Sequence, residues 1–476
     1  MTANLSQFPP PGSTAEDWIS GPEDVGLQRD QYNVLLTYDH NFNDWQLSSK
    51  YAWNKSVLES AYDLDGTEGR PFTGLFHFYE DLERKDWSFE VRLDSPQDQG
   101  LRGSIGFYYF DFDEDSITHG SPGFAQGKNS APVKSTTENI ALFGSVEIDL
   151  ADKWTFATEA RVARDTKETG EANFCRDPDS PFFDPDNPVH NEVETDSLTP
   201  RFTLRYRPPD EATLYLQVAK GNKPGNFNVA YYRDSIDGCA TEANFDDGFA
   251  FVDEEKQWTY EAGAKTSWLD NRITANLAVF YIDWDNQTFF ETTSIPTNLG
   301  PEIPSNIGIN AGRSHIFGLE LETSFVITEK LIGTFAYGLS DGEFDEGFSD
   351  EFEAKTGIIG NDYGNLRGKN IPNSPKHNFV TSLTYTDSIT AELGWFARTD
   401  FSYESRRYTS VTNFEEIGKR QIWNGRTGLE TDTWTLTAFV NNILDEQTPS
   451  AIINFPRLLE RNAAGIPPQG YALTPT

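Results

Sequence analysis

The stretch 256–284, KQWTYEAGAKTSWLDNRITANLAVFYIDW, changes character at every step. From Trp258, every second residue is Tyr260, Ala262, Ala264, Thr266 and Trp268, and between them stand Gln257, Thr259, Glu261, Gly263, Lys265 and Ser267. After a tight turn at 269–271, Ile273, Ala275, Leu277, Val279 and Tyr281 take one side, with Arg272, Thr274, Asn276 and Ala278 on the other. A period of two marks a β-strand with one apolar and one wet face, so this is a long hairpin. Trp258 and Trp268 close the two ends of the apolar face. At a tilt of about 45°, the strand between them rises about 24 Å, the height of an outer-membrane apolar band between aromatic girdles. A hairpin of a large soluble sandwich would alternate too.

Composition narrows the choice. Hydrophobic residues are 37% of the chain, mean hydropathy is −0.57, and no run of eighteen apolar residues occurs, which excludes helical membrane spans. A membrane barrel passes this test, because only alternate residues of each strand face lipid. Aromatics at 14% suit girdles and ligand-facing loops. A net charge of −37 argues against nucleic acid and against anionic surfaces, except where a local patch reverses the sign. Cys175 and Cys239 are too few for a disulfide scaffold and lack zinc-ligand spacing. The opening MTANLSQFPPPGSTAEDW has neither the basic nor the apolar region of a signal peptide.

Sixteen alternating segments follow one another from YNVLLTYDH at 32–40 to WTLTAFVNNI at 434–443. Short turns, such as 41–44, 97–100, 151–153 and 328–330, alternate with long connections, such as 113–137, 166–195, 222–255 and 343–376. A sandwich has no reason to keep that asymmetry, whereas an outer-membrane barrel has short periplasmic turns and long extracellular loops. The expected fold is an all-β, antiparallel transmembrane β-barrel over 32–443, preceded by an irregular 1–31 and followed by a loop and truncated end at 444–476. No nucleophile elbow, phosphate loop, dinucleotide glycine pattern or metalloprotease helix is present. His77, His119 and His190 stand singly, and acidic runs such as 111–115 lack the spacing of a calcium loop, so no metal, cofactor or enzymatic role is expected.

Six segments resemble the barrel of TonB-dependent outer-membrane receptors. They are WSFEVRLDSP at 87–96, AKGNKPGNFN at 219–228, WTYEAGAKTSWLDNRITANLAVFYIDWDNQ at 258–287, NAGRSHIFGLELE at 310–322, IPNSPKHNFVTSLTY at 371–385 and FVNNILDEQ at 439–447. The resemblance implies the outer membrane of a Gram-negative bacterium and import of a scarce solute, a ferric chelate first, with cobalamin or an oligosaccharide as other choices. It implies a TonB-type energy-transducing partner acting through a plug, and a surround of lipid and lipopolysaccharide. Such barrels have about twenty-two strands. The sixteen read here, without plug, signal peptide or final strand, are expected to be a fragment that does not close by itself. A passive porin and a non-functional truncated receptor are the alternatives, and a barrel hydrolase finds no catalytic constellation.

Within this frame Glu90, Arg92, Glu159, Arg161, Arg201, Arg205, Glu261, Lys265, Glu320 and Glu322 are expected on the lumen wall facing the plug. Trp268 is expected in the periplasmic girdle, and Trp258 and Trp284 in the extracellular one. Aromatic residues give large contact area at low entropy cost, which makes Phe227, Tyr231, Tyr232, Phe289 and Phe290 the candidates for ligand contact. Cys175 and Cys239 fall in consecutive extracellular loops, where an oxidising surface favours a disulfide between them.

Overall fold

The computed structural model describes residues 26–63, 77–120, 133–171, 189–208, 212–228, 251–297, 300–349, 364–456 and 469–474. Sixteen strands form one antiparallel sheet: β1 Gly26–Phe42, β2 Trp45–Asp63, β3 His77–Asp94, β4 Leu101–Gly120, β5 Val133–Ala151, β6 Trp154–Glu171, β7 Val189–Tyr206 and β8 Ala212–Lys223, then β9 Glu255–Trp268, β10 Ile273–Asp285, β11 Arg313–Thr328, β12 Leu331–Glu346, β13 His377–Ser388, β14 Gly394–Glu404, β15 Arg420–Glu430 and β16 Thr435–Val440. Each strand pairs with the next along the chain. The sixteen alternating segments of the sequence are these strands.

Register carries one face through the whole sheet, since residues directly opposite each other point to the same side. Glu90 lies opposite Lys50 and Tyr108, Glu159 opposite Arg201 and Ser145, Glu261 opposite Gln217 and Phe280, and Glu322 opposite Asn276 and Ala336. Followed strand by strand, this puts all ten charged wall residues named above on one side. The other side is apolar and open: Leu142, Val162, Leu216 and Leu277 are all exposed there. In water such a surface would be a large liability at about 25 cal/mol per Å². Against lipid tails it is matched.

Aromatic rings edge that outer face. Trp45, Trp154, Tyr206, Trp268, Trp395 and Trp434 stand beside the short turns, with Trp154 on Tyr206 at 4.6 Å and Tyr385 on Trp395 at 5.1 Å. Trp268 abuts a turn in which Leu269, Asp270 and Asn271 all take positive φ. Toward the long-loop end lie Trp87 on Tyr109 at 4.8 Å and Phe379 on Tyr403 at 5.2 Å. Trp258 shares this outer face, opposite Asp283, but Trp284 does not. Trp284 pairs with Gln257, and its indole N–H donates to Glu255 Oε2 at 3.1 Å on the lumenal side. The expected girdle role of Trp284 is therefore corrected: it stands an odd number of steps from Tyr281, and strand parity turns it inward.

Two further departures have one cause. β1 begins at Gly26 rather than 32, and β2 to β7 run well beyond the girdle. Above the membrane both faces are wet, so the alternation fades while the ladder continues. The connection 286–312 likewise contains its own hairpin, Thr288–Thr297 with Gly300–Asn310.

Inside the lumen, glycines sit under rings of the neighbouring strand: Gly106 under Phe143, Gly263 under Tyr215 and Gly318 under Phe280. A Cβ at any of the three would run into the ring. At the far end of the sheet, the segment after β16 is tied back to β15. The Ile443 N–H bonds the Trp423 carbonyl at 2.8 Å, and the Gln421 N–H donates to Glu446 Oε2 at 2.8 Å. The Thr448 hydroxyl, then the N–H groups of Thr448, Gln421 and Gln447, pull the Glu446 carboxyl down to about 2 from its ordinary 4.5.

Two outcomes follow. Leu277→Arg, on the lipid face, should lower unfolding stability in phospholipid vesicles by about 2–4 kcal/mol, while Asn276→Arg on the lumen face should cost far less; equal costs in a urea titration would refute the faces. Because the folded carboxyl of Glu446 lies below its unfolded value, its contribution is present above pH 4.5 and lost as pH falls toward about 2. The protection of the Gln421 amide, its exchange rate relative to the intrinsic rate at each pH, should fall across that window, and Glu446→Gln should remove that pH dependence.

Candidate functional site

The lumenal wall is a ladder of polar contacts, most of them between strands. Arg201 Nη2 meets Glu159 Oε2 at 3.1 Å, and Arg92 holds Asp94 at 2.9 Å. Arg102 reaches Glu147 at 2.7 Å and Asp149 at 3.0 Å, while Arg205 takes the other oxygen of Glu147 at 2.6 Å. Arg161 donates to Asn139 Oδ1 at 2.8 Å and lies 5.1 Å over the Tyr108 ring, and the Tyr215 hydroxyl donates to Glu261 Oε1 at 2.5 Å. Glu320 and Glu322 make no salt bridge among the described residues. Half-exposed pairs of this kind each contribute about 0–1 kcal/mol, so their role is a wet, charged lining rather than stability.

At the long-loop end a folded layer, built from the connections after β10, β12 and β14, sits on the lumen face of β11 and β12. Its core is Ala311, Phe344, Leu366, Ile371 and Val411, with Phe289, Ile309 and Ile316 against them. Phe344 and Ile316 lie on the lumen face of β12 and β11, which fixes the side on which the layer sits. Phe289 meets Phe344 edge-on at 5.5 Å. Burial at this level stabilises by about 1.5–3 kcal/mol per large side chain, which makes the layer a small core in its own right.

Polar side chains pin the layer to the strand ends. Asn228 acts as a strand of one residue: its Nδ2 donates to the Gly308 carbonyl at 2.7 Å and its Oδ1 accepts from the Gly308 N–H at 2.8 Å. Asn310 accepts from the Asp253 N–H at 2.7 Å and donates to the Asn286 carbonyl at 2.9 Å. Buried Glu255 takes Lys223 Nζ at 2.5 Å as well as Trp284, Ser314 donates to Gln287 Oε1 at 2.6 Å, and Ser349 donates to Glu291. Every one of these buried groups is matched, which fixes one geometry for the mouth. Gly312 and Gly347 both take positive φ where two backbones cross, and a Cβ at either would meet a carbonyl.

The sequence-derived ligand residues divide. Phe227 is buried against Phe251 at 5.4 Å and Phe289 belongs to the loop core, so both pack rather than project. Phe290 projects, 75% exposed. Tyr231, Tyr232, Cys175 and Cys239 lie outside the described residues. Sequence reasoning missed Phe348 and Phe414, which are 55% and 54% exposed on the same layer, and the core residues Phe344, Leu366, Ile371 and Val411. These come from the end of β12 and from two separate connections, β12–β13 and β14–β15, with no common period, and only Ile371, in the IPNSPKH segment, stood inside a recognisable motif.

A family model described as TonB dependent receptor-like, beta-barrel matches residues 2–443. The probable TonB-dependent siderophore receptor PiuA of Acinetobacter baumannii is 22% identical over 251 residues, 53% of this chain and 30% of that protein. The metal-pseudopaline receptor CntO of Pseudomonas aeruginosa is 28% identical over 184 residues, 38% of this chain and 20% of that protein. The matched regions thus span less than a third of these relatives. Among solved structures, the ferric yersiniabactin uptake receptor FyuA from Yersinia pestis superposes with a TM-score of 0.67 at 15% identity, over 90% of this chain and 58% of that one. With sixteen strands in family order, one lipid face and one charged lumen face, the chain belongs to the TonB-dependent receptor family as its outer-membrane β-barrel.

Proposed function

We propose that this chain forms the channel wall and the capture loops of a receptor that imports a scarce solute, a ferric chelate first, across the outer membrane. The observation that carries the reading is the loop layer: it has its own apolar core, lies on the lumenal side of the mouth, and turns Phe290, Phe348 and Phe414 outward. A rigid aromatic platform above a charged shaft offers large contact area without ordering cost, which a passive pore has no use for. The names of PiuA and FyuA, a siderophore receptor and a ferric yersiniabactin uptake receptor, support a metal chelate over cobalamin or a glycan.

Lumenal Glu90, Arg161, Arg201, Glu320 and the rest of the ladder are the surface against which a plug seats, and the energy-transducing partner acts through that plug. Lipid and lipopolysaccharide surround the apolar face between the two rings of Trp and Tyr. Cys175 and Cys239, on neighbouring extracellular loops, close a disulfide in this reading.

Cells carrying the gene in a background without other ferric receptors should accumulate radioactive iron from a panel of chelates. Uptake should stop on adding a protonophore or deleting the energy-transducing partner. Phe290→Ala should raise the half-saturating concentration by about fivefold or more. Uptake that persists in de-energised cells would make the protein a passive pore and overturn the reading.

A further inference from the structure

On the lipid face of β13 to β16, rows of large and small side chains succeed one another. Next to the short turns, Trp395, Leu429 and Leu436 stand opposite one another across three strands. One row toward the bilayer centre the side chains are small: Ala397, Thr427 and Ala438. Thr399 and Gly425 keep the following row small as well. Both threonines turn their hydroxyls into the sheet, Thr427 donating to the Phe396 carbonyl at 2.8 Å and Thr399 to the Asn424 carbonyl at 3.1 Å.

The surface that remains is an apolar groove of about 410 Å³. Its walls are Ile389 from the β13–β14 turn, Trp395, Leu429 and Leu436, and its floor is Thr427 and Ala438. That volume lies in the range of small-ligand sites, about 300–1,000 Å³. In a bilayer such a concavity fills with hydrocarbon, because an empty one would forfeit the dispersion contacts of its lining.

The head-group end of the groove has a sign. Residues 385–397 and 427–438 hold four carboxylates, Asp387, Glu392, Glu430 and Asp432, and no Lys or Arg. Lys330 neutralises Asp387 at 2.7 Å. The other three are exposed and make no salt bridge among the described residues. All three border the groove walls. Glu430 follows Leu429 and lies opposite Gly394, the neighbour of Trp395, and Asp432 stands in the turn between Leu429 and Leu436. Glu392 sits in the turn that Ile389 opens, closed by the Ile389 N–H on the Leu393 carbonyl at 2.8 Å. Elsewhere the short turns differ, since those of β5–β6 and β7–β8 carry Lys153 and Arg207, joined by the Arg207 N–H on the Lys153 carbonyl at 2.8 Å.

Charge selects the occupant. Lipopolysaccharide lies in the other leaflet, at the long-loop end. A second copy would bring two sets of unpaired carboxylates together, and an anionic phospholipid would set its phosphate against them; like charges across a contact oppose both. A phospholipid with an ammonium head group meets neither penalty. We propose that the groove seats one acyl chain of a phosphatidylethanolamine of the periplasmic leaflet, with its ammonium among Glu392, Glu430 and Asp432. The seated lipid braces the outer face of β14 to β16. The site is independent of what the receptor imports.

The probe is phosphatidylethanolamine with a diazirine in its acyl chain, added to the whole chain in uncharged detergent micelles. A matched diazirine phosphatidylglycerol is the anionic comparison. After illumination, adducts mapped by peptide mass spectrometry should concentrate on 389–395 and 427–438, with a yield about fivefold or more higher for the ammonium lipid. Residues 148–156, beside Lys153, should show no such preference. Ala438→Phe, which fills the groove from an exposed position, should remove the adducts there and leave labelling of the rest of the lipid face unchanged. Glu392→Lys with Asp432→Lys, both in exposed turns, should reverse the order of the two lipids. Should Ala438→Phe fail to fold, the turn pair still decides. Even labelling of the whole lipid face, equal yields from the two lipids, or groove adducts that survive Ala438→Phe would each overturn the site. So would a groove labelled by neither lipid, whether empty or covered by a second copy.

Discussion

Everything in this molecule depends on the backbone ladder. In a bilayer core no water is present to satisfy an N–H or C=O, so each must find its partner in a neighbouring strand. Sixteen strands paired in chain order meet that demand along their shared lengths. Among the described residues β1 and β16 pair on one side only. Within lipid those two edges must be met, by each other or by a further strand, because an open edge is costly there and adhesive in water.

Once the ladder is fixed, strand parity assigns every side chain to lipid or lumen. The lipid face takes Leu142, Leu216 and Leu277, and the lumen face takes the Arg102–Glu147–Arg205 network. The same rule sends Trp258 outward and Trp284 inward, although the two tryptophans stand at the same end of one hairpin. The inward one is used: it helps hold buried Glu255, which also takes Lys223 and so ties β8, β9 and β10 together at the rim. A single step of parity thus decides whether a tryptophan meets lipid or braces the rim.

The fold was legible in the sequence because membrane strands must alternate, and the alternation of short turns with long connections gave the topology as well. Strand ends were less legible, since the first residues of β1, GLQRDQ, lie where both faces meet water and leave no period to read. The loop core was hidden for a different reason. Phe344 at the end of β12 meets Leu366 and Val411 from two separate loops through tertiary contacts that no local pattern encodes. The same blindness affected the candidate ligand aromatics: Phe289 and Phe290 are adjacent and chemically identical, yet one is core and one is surface.

The central claim is that one face of this sheet meets lipid and the other meets a water-filled lumen. Nitroxide scanning of β10 in phospholipid vesicles tests it most directly, with each residue from 273 to 285 replaced in turn and its exposure to oxygen and to a polar nickel chelate compared. The account predicts a strict period of two, with Ile273, Ala275, Leu277, Val279 and Tyr281 oxygen-accessible and Thr274, Asn276, Ala278 and Trp284 on the chelate-accessible side. Loss of that period, or the same period with the phase reversed, would contradict it.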